Sequence, residues 1–197
     1  MLTIITPCSR PDNLPAMFDS ISFPKIDKWY IVYDTSNNRT YTHQFTNHPQ
    51  IIELEADGTS VNSAVGHYQR NFALRIITKL KKNGYVYFLD DDNILHPDFL
   101  DSVDFSVPDR FYTFDQFLKR LNDHQYEYRL GNVLKINSID MAQFCFDISI
   151  KSPDLFFHNS YYGADGLLVE QLYQQASSNH IYIPKILCYY NKLNPKN

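Results

Sequence analysis

Residues Gly84–Phe99, GYVYFLDDDNILHPDF, are the part of the sequence from which the fold class follows. Tyr85–Leu89 is an unbroken apolar run of aromatic and β-branched residues, the pattern of a buried strand. It ends in three consecutive acids, Asp90, Asp91 and Asp92. Three adjacent carboxylates repel one another, and ligands of open α/β sheets bind beyond the carboxyl ends of the strands. A hard divalent cation that also holds phosphates would satisfy this cluster, and a solvated acidic turn is the alternative.

The length and composition exclude several classes of protein. The chain has 197 residues, of which 44% are hydrophobic and 20% charged, so we expect one globular domain. A net charge of -4 with dispersed basic residues argues against nucleic acid as a partner, because phosphate contacts dominate such binding. No apolar run approaches the ~20 residues of a membrane span. The three cysteines are odd in number and form no CxxC motif, and no apolar signal segment is found, which together predict reduced thiols and a cytoplasmic location.

The first half of the chain alternates predicted strands and helices. The strands are followed by polar residues, and the second helix carries apolar residues at a spacing of four. The predicted strands are Leu2–Thr6, Lys28–Tyr33, Ile51–Leu54 and Tyr85–Leu89, and the predicted helices are Leu14–Ile21 and Val65–Lys82. This order predicts an α/β fold in which helices flank a mostly parallel central sheet.

The second half has a different pattern. Thr113 is a candidate N-cap for a helix that ends near Asn122, and Gly131-Asn132 indicates a β-hairpin. The remaining predictions are hairpin strands at 126–130 and 133–136, a strand at 141–150, a helix at 164–176 and strands at 181–183 and 186–190. No repeat or low-complexity linker separates the halves.

Several common site motifs are absent from the sequence. The six glycines form neither GxGxxG nor GxxxxGK, and GxSxG and HExxH do not occur. Arg70, near a helix start, is either a phosphate clamp or an ordinary solvated residue. Asp165, at the start of another helix, is either a cap or a general base, with Glu170 as the next candidate for the base.

Six motifs in one order carry a resemblance to a known family. They are TPCSRP after the first strand, Asp34 after the second, and then GHYQRNFAL, YFLDDDN, DMAQFCFD and ADGLLVEQL. Together they resemble the GT-A-fold glycosyltransferases. The nearest likeness is to the inverting glucuronyltransferases that build proteoglycan linkers and to the inverting family 2. The resemblance implies one catalytic domain over residues 1–197, with a nucleotide-binding half at 1–100 and an acceptor-binding half at 101–197.

The resemblance also implies roles for residues that bind the donor. Asp90 and Asp92 match the DxD pair of the family. Asp92 is therefore expected to ligate a metal directly, and Asp90 is expected to contact the metal and the ribose of the nucleotide. Asp34 matches the acid that holds the uracil or ribose. Pro7 matches the turn beside the base. The arginine that meets the diphosphate is matched by Arg70, and we assign Arg10 and Asp91 to donor binding with it.

The sequence departs from the family at two positions, the expected base and the residue that contacts the diphosphate. Asp165 stands where those enzymes carry a catalytic Glu, and it is the expected catalytic base. The segment that lines the acceptor cleft is matched by Met141 and Ala142. The family's C-terminal tail supplies a histidine to the diphosphate, but this chain has none there, and Lys192 is the candidate replacement.

The expected activity is therefore a metal-dependent, inverting glycosyl transfer. Mn²⁺ or Mg²⁺ is the expected cofactor, a UDP-sugar the expected donor, and a hydroxyl of a carbohydrate or glycoprotein the expected acceptor. One alternative is a non-catalytic or degenerate module that binds carbohydrate or nucleotide on the same fold. A nucleotidyltransferase is a third reading, but no glycine-rich triphosphate loop is found near the N-terminus. The sequence leaves the oligomeric state open.

Overall fold

The computed structural model describes residues 1–59, 66–81, 83–120, 125–150 and 163–194. Within these ranges the chain forms nine strands and four α-helices, with short 3-10 turns between several of them. The strands are β1 Leu2–Cys8, β2 Ile26–Asp34, β3 Ile51–Ala56, β4 Tyr85–Phe88, β5 Ile94–Leu95, β6 Phe111–Lys119, β7 Tyr126–Arg129, β8 Phe144–Asp147 and β9 His180–Tyr190. The helices are α1 Leu14–Ser20, α2 His67–Leu80, α3 Phe99–Ser102 and α4 Ala164–Ala176.

All nine strands belong to one mixed sheet. Its order is β3-β2-β1-β4-β8-β6-β9-β5, and β7 pairs with β6 outside this path. The first four strands in that order are parallel, as the sequence predicts. The second half is mixed, because β8 runs antiparallel to β4 and β6, whereas β9 runs parallel to β6. The α/β class with a central sheet is confirmed, and the parallel arrangement holds for the first half.

Helices cover both faces of the sheet, so the molecule has two apolar layers. On one face α1 and α3 contribute Leu14, Met17 and Phe99, which pack with alternate residues of the central strands. On the other face α2 and α4 contribute residues such as Leu74 and Leu172. The alternation of strand side chains sends Tyr85 and Tyr87 to the first layer and Val86 and Phe88 to the second. Because β4 is buried on both faces, its carboxyl end has a fixed position.

The predicted helix that begins at Thr113 is wrong. Residues 113–119 belong to β6, where Thr113 pairs with Phe144 on one side and Tyr182 on the other. Asp115 is fully buried in this strand and accepts hydrogen bonds from the hydroxyl of Tyr182 and the N–H of Gly131, over 2.8 Å each, and from the hydroxyl of Tyr128. These partners, which are distant in the chain, satisfy the buried carboxylate of a residue that was predicted to lie at the start of a helix. Residues 121–124 lie outside the described residues.

Three other boundaries differ from the prediction. β7 pairs with β6 rather than with 133–136, which contains no strand, so the hairpin precedes Gly131 instead of enclosing it. The predicted strand at 141–150 is β8 between two 3-10 turns. β9 is a single strand with a shift of register beside Pro184 and Lys185, because a proline within a ladder requires an irregularity. Val65 and Lys82, the predicted ends of the second helix, lie outside the described residues.

Candidate active site

A cleft of about 570 Å³ opens at the edge of the sheet where β1, β2 and β4 end. Parallel strands bring their carboxyl ends to the same edge, which places the residues that follow them side by side. The cleft is lined by seven of the eight residues assigned from the sequence, namely Pro7, Arg10, Asp34, Asp90, Asp91, Asp92 and Asp165. The eighth, Arg70, is buried behind the cleft surface and does not line it. The structure therefore assembles residues that lie up to 158 positions apart in the chain.

Asp91 fastens the loop that follows β1 to the end of β4. The backbone N–H groups of Ser9 and Arg10 donate to Asp91 Oδ2 over 2.6 and 2.7 Å. The guanidinium of Arg10 donates to Asp91 Oδ1 from Nε over 2.9 Å and from Nη2 over 2.5 Å, while Asn13 donates to the Asp91 carbonyl. With its side chain almost fully buried, Asp91 has a structural role in this arrangement. Its assignment to donor binding stays a prediction.

Two arginines neutralise much of the negative charge of the acid cluster. Arg70 Nη2 lies 2.5 Å from Asp90 Oδ1, and the Arg70 side chain is only 2% exposed. Arg10 Nη1 lies 2.8 Å from Asp92 Oδ2, so this one guanidinium contacts both Asp91 and Asp92. The premise that the three carboxylates are uncompensated is thus corrected, and the expected metal ion stays a prediction. The charge of the cluster is compensated in large part by Arg10 and Arg70, which lie 81 and 20 residues away from their partners.

The cluster fits a divalent cation that shares its coordination with a ligand, but not a closed protein cage. No group of three or more potential ligand side chains lies close enough to hold a metal ion among the described residues. Mg²⁺ and similar ions commonly use one or two carboxylates together with waters and substrate phosphates. Within the described chain, no donor reaches Asp90 Oδ2 or Asp92 Oδ1, which leaves one oxygen of each carboxylate for such an ion. Burial and then the charge of Asp90 raise the pKa of Asp92 to about 6.

Asp34 and Pro7 lie on the side of the cleft formed by the ends of β1 and β2. Asp34 Oδ1 accepts from the N–H of Ser36 over 3.1 Å and from Gln69 Nε2 over 2.9 Å, which orients the carboxylate. The first turn of α2 approaches Pro7 closely through Gly66, which has φ +78. A Cβ at Gly66 would lie 2.8 Å from Pro7 Cβ, so only glycine allows this contact.

Asp165 and Asp140 form a second acidic group on the other side of the cleft. Asp165 stands in the first turn of α4, and Asp140 caps the 3-10 turn before β8, where its side chain accepts from the N–H of Ala142 over 2.9 Å. Burial, together with the charge of Asp140, raises the pKa of Asp165 to about 8. Burial and the charge of Asp90 raise the pKa of Asp140 to about 6. A carboxylate with a pKa near the working pH is suited to general base catalysis.

Three charged residues of the cleft were not assigned from the sequence. Asp140, Arg39 and Arg129 line it, with Asp140 at the start of the DMAQFCFD motif. The spacing of Asp140 and Gln143 is the sequence signal of a capping box, which the structure contains. Arg129 is the last residue of β7. Its place in the cleft depends on the pairing of β6 with β7, which the sequence did not predict. Met141 lines the cleft, whereas the neighbouring Ala142 is fully buried.

The alternative base, Glu170, and the candidate replacement for the missing histidine, Lys192, both lie away from the cleft. Glu170 Oε1 accepts from the N–H of Ile136 over 3.0 Å, which fastens α4 to the turn before β8. Lys192 Nζ lies 3.4 Å from the hydroxyl of Tyr126 and above the rings of Tyr126 and Tyr189. Neither residue is part of the cleft lining. The C-terminal segment still reaches the acids, because the N–H of Leu193 donates to the Asp92 carbonyl over 2.9 Å.

No helix in the described ranges combines the length and apolar character needed to cross a membrane. No protein-family model and no curated protein matches this sequence.

Among solved structures, the chain is similar to residues 1–349 of S. aureus TarS in complex with UDP-GlcNAc, with a TM-score of 0.65 and 15% identity. That match covers 95% of this chain, which spans 57% of the TarS chain. An inositol-1-phosphate CTP transferase from T. maritima gives a TM-score of 0.48 at 9% identity, with 100% of this chain and 91% of that one covered. A glycosyltransferase involved in glycosylation of the PBCV-1 major capsid gives a TM-score of 0.45 at 10% identity. That match covers 96% of this chain and 91% of the other chain. At these identities the likeness concerns the fold, and the chain has the GT-A-like fold of nucleotide-sugar transferases.

Proposed function

We propose that this protein transfers a sugar from a nucleoside diphosphate sugar, with a UDP-sugar as donor, to the hydroxyl of a carbohydrate or glycoprotein acceptor. The observation that carries the proposal is that one cleft contains both the Asp90–Asp92 cluster and the separate acid Asp165. A displacement at a sugar carbon needs one set of groups for the leaving diphosphate and a base for the attacking hydroxyl. The TarS structure, solved with UDP-GlcNAc, supports the choice of donor.

The donor is expected to lie along the ends of β1, β2 and β4. Asp34, held by Gln69 and the N–H of Ser36, would accept hydrogen bonds from the nucleoside, and Pro7 would lie beside the base. Asp90 and Asp92 would hold Mn²⁺ or Mg²⁺ with their remaining oxygens, and the bound ion would neutralise charge that develops on the leaving diphosphate. Arg70 would act through Asp90, since it contacts that carboxylate and does not line the cleft.

Asp165 is the proposed base. The carboxylate would take the proton of the acceptor hydroxyl as its oxygen forms a bond to the anomeric carbon. The bond from that carbon to the phosphate oxygen breaks, and its electron pair leaves with the nucleoside diphosphate. One displacement of this kind inverts the anomeric centre. The pKa of about 8 makes Asp165 a stronger base than an exposed aspartate, because burial and Asp140 both favour the protonated form.

The proposal is tested by UDP release from a panel of UDP-sugars, with and without MnCl₂, in the presence of mixed oligosaccharide acceptors. We expect release that depends on Mn²⁺ and that is lost in Asp92→Asn. Asp98→Asn is the matched control, because Asp98 lies in the same segment but its side chain is 68% exposed and outside the cleft. Release that is equal in the two variants would contradict the assignment of Asp92.

A binding module without catalysis is the second candidate. It is favoured by the compensation of the acid cluster by Arg10 and Arg70, because their guanidinium groups already supply positive charge where a catalytic metal ion would act. In that case calorimetry would detect binding of a UDP-sugar, while no UDP would be released with any acceptor. The cytoplasmic location and the single catalytic domain over residues 1–197 stay predictions.

A further inference from the structure

His67, which the sequence reading gave no role, lies directly behind the proposed base. It is the first residue of α2 and its side chain is fully buried. His67 Nε2 lies 3.7 Å from Asp165 Oδ1, in the first turn of α4. The first turns of two helices therefore meet at this point, and each contributes one titratable side chain.

The same face of α2 reaches both acidic groups of the cleft. His67 and Arg70 are three residues apart and so project from the same side of the helix. Arg70 contacts Asp90 in the first acidic group, and His67 faces Asp165 in the second. Arg70 gives its acid a permanent positive partner, whereas an imidazole gives a partner whose charge depends on a proton.

Asp165 needs a proton-dependent partner more than Asp90 does. Oδ1 of Asp165 is buried and receives no hydrogen bond from the described residues. The charged groups that act on Asp165 are Asp140 before β8, Asp90 after β4 and Arg70 on α2, so the two acids oppose its ionisation and one arginine favours it. The backbone N–H of Met141 also lowers the pKa of Asp165. A base in this position must still be a carboxylate when the acceptor binds.

We propose that His67 is the positioning residue of Asp165, and that the two side chains share one proton, with the imidazole holding it while Asp165 faces the acceptor as a carboxylate. This inference deepens the proposed function and rests on it for its catalytic meaning. The 3.7 Å separation exceeds a hydrogen bond, and contacts of catalytic groups commonly shorten when substrates bind. During transfer the proton from the acceptor hydroxyl goes to Asp165. Before this step the protonated imidazole stabilises the negative charge of the Asp165 carboxylate.

The pair can be tested without any activity, by NMR of protein labelled with ¹⁵N in its histidine rings. The His67 ring is followed from pH 5 to 9 in the wild type and in Asp165→Asn. We expect removal of the carboxylate to lower the pKa of His67 by about one unit or more, since an opposite charge at this distance favours the charged imidazole. Asp98→Asn is the control and should leave the His67 curve unchanged. An unchanged His67 curve in Asp165→Asn would overturn the pairing, whether or not the protein transfers sugar.

Kinetics then separate positioning from a purely structural role. We expect His67→Gln to lower kcat roughly 10- to 100-fold with little change in the affinity for UDP. The acid limb of kcat/KM should also move to higher pH by about one unit, because Asp165 loses the partner that favours its ionised form. His180→Gln is the matched control, since His180 bonds Thr113 outside the cleft. A loss in His67→Gln that is the same at every pH would overturn the proposal.

Discussion

Replacement of Asp165 by Asn is expected to make the ligand-free protein more stable, and the gain should grow with pH. Asp165 is almost buried, with a side chain that is 16% exposed, and its pKa is raised to about 8 by burial and by Asp140. The folded protein therefore binds this proton more tightly than the unfolded chain, in which an aspartate has a pKa of about 3.9. A group of this kind contributes stability at low pH, and that stability is lost as the pH rises toward 8.

The size of the effect follows from the width of the pH window. If the proton is shared with His67, the unfolded chain holds its histidine proton up to about pH 6.5. The folded protein then binds one proton more than the unfolded chain only between about pH 6.5 and 8. At about 1.36 kcal/mol for each pH unit, the loss of wild-type stability over this window is about 2 kcal/mol. If Asp165 alone holds the proton, the window opens near pH 4 and the loss approaches ~5 kcal/mol. Asn cannot ionise, so the variant avoids this cost.

Urea unfolding at pH 5, 6.5, 8 and 9 measures the difference between the two proteins. We expect nearly equal free energies of unfolding at pH 5, and a variant that is more stable by about 2 kcal/mol or more at pH 9. The pKa of Asp140 is also raised, so both proteins should lose some stability between pH 4 and 6, and the difference between them is the quantity to interpret. Parallel pH profiles for the two proteins would refute the reasoning, because they would mean that Asp165 ionises in the folded state as it does in water.

Three other substitutions test the cleft. Asp92→Asn should abolish Mn²⁺-dependent binding of UDP in calorimetry while the melting temperature stays close to that of the wild type; binding that still needs Mn²⁺ would argue against Asp92 as a ligand. Arg70→Met should lower the free energy of unfolding by about 3 kcal/mol, since it leaves Asp90 beside a buried apolar side chain, and Arg70→Met combined with Asp90→Asn should recover part of this loss. An additive double variant would show that the pair does not interact. Gly66→Ala should cost about 1–2 kcal/mol in urea unfolding, because a Cβ would meet Pro7 and the backbone has φ +78; a neutral result would mean that the loop shifts freely.

The sequence was sufficient to predict the part of the site that depends on local pattern. The apolar runs of β1, β2 and β4, each followed by polar or acidic residues, predicted parallel strands whose ends meet. Asp34 and Asp90 therefore fell at one edge of the sheet, as the structure confirms. The last helix was predicted at its observed bounds, Ala164–Ala176, because leucines at helical spacing follow a start with an acid.

Partners that are distant in the chain could not be predicted. The pattern Thr113-Phe114-Asp115 is compatible with a capped helix, and only the hydroxyls of Tyr128 and Tyr182 make a buried strand carboxylate favourable there. For the same reason the contacts of the Arg10 guanidinium with Asp91 and Asp92 were not predicted, and the assignment of Arg10 to donor binding stays a prediction. Charge on neighbouring residues was visible in the sequence, but its compensation was not.

The tether between Asp91 and the loop after β1 has a consequence for how the chain is made. The N–H groups of Ser9 and Arg10 bond a carboxylate that follows them by 82 and 81 residues. At about 5–20 residues per second on a ribosome, roughly 4–16 seconds pass between the synthesis of the two ends. During that time β1, all of whose residues become buried, has neither β2 nor β4 in place at first and exposes its apolar side chains. β1 is thus a segment whose apolar side chains need protection during synthesis, and the acid cluster can assemble only after Asp91 has emerged.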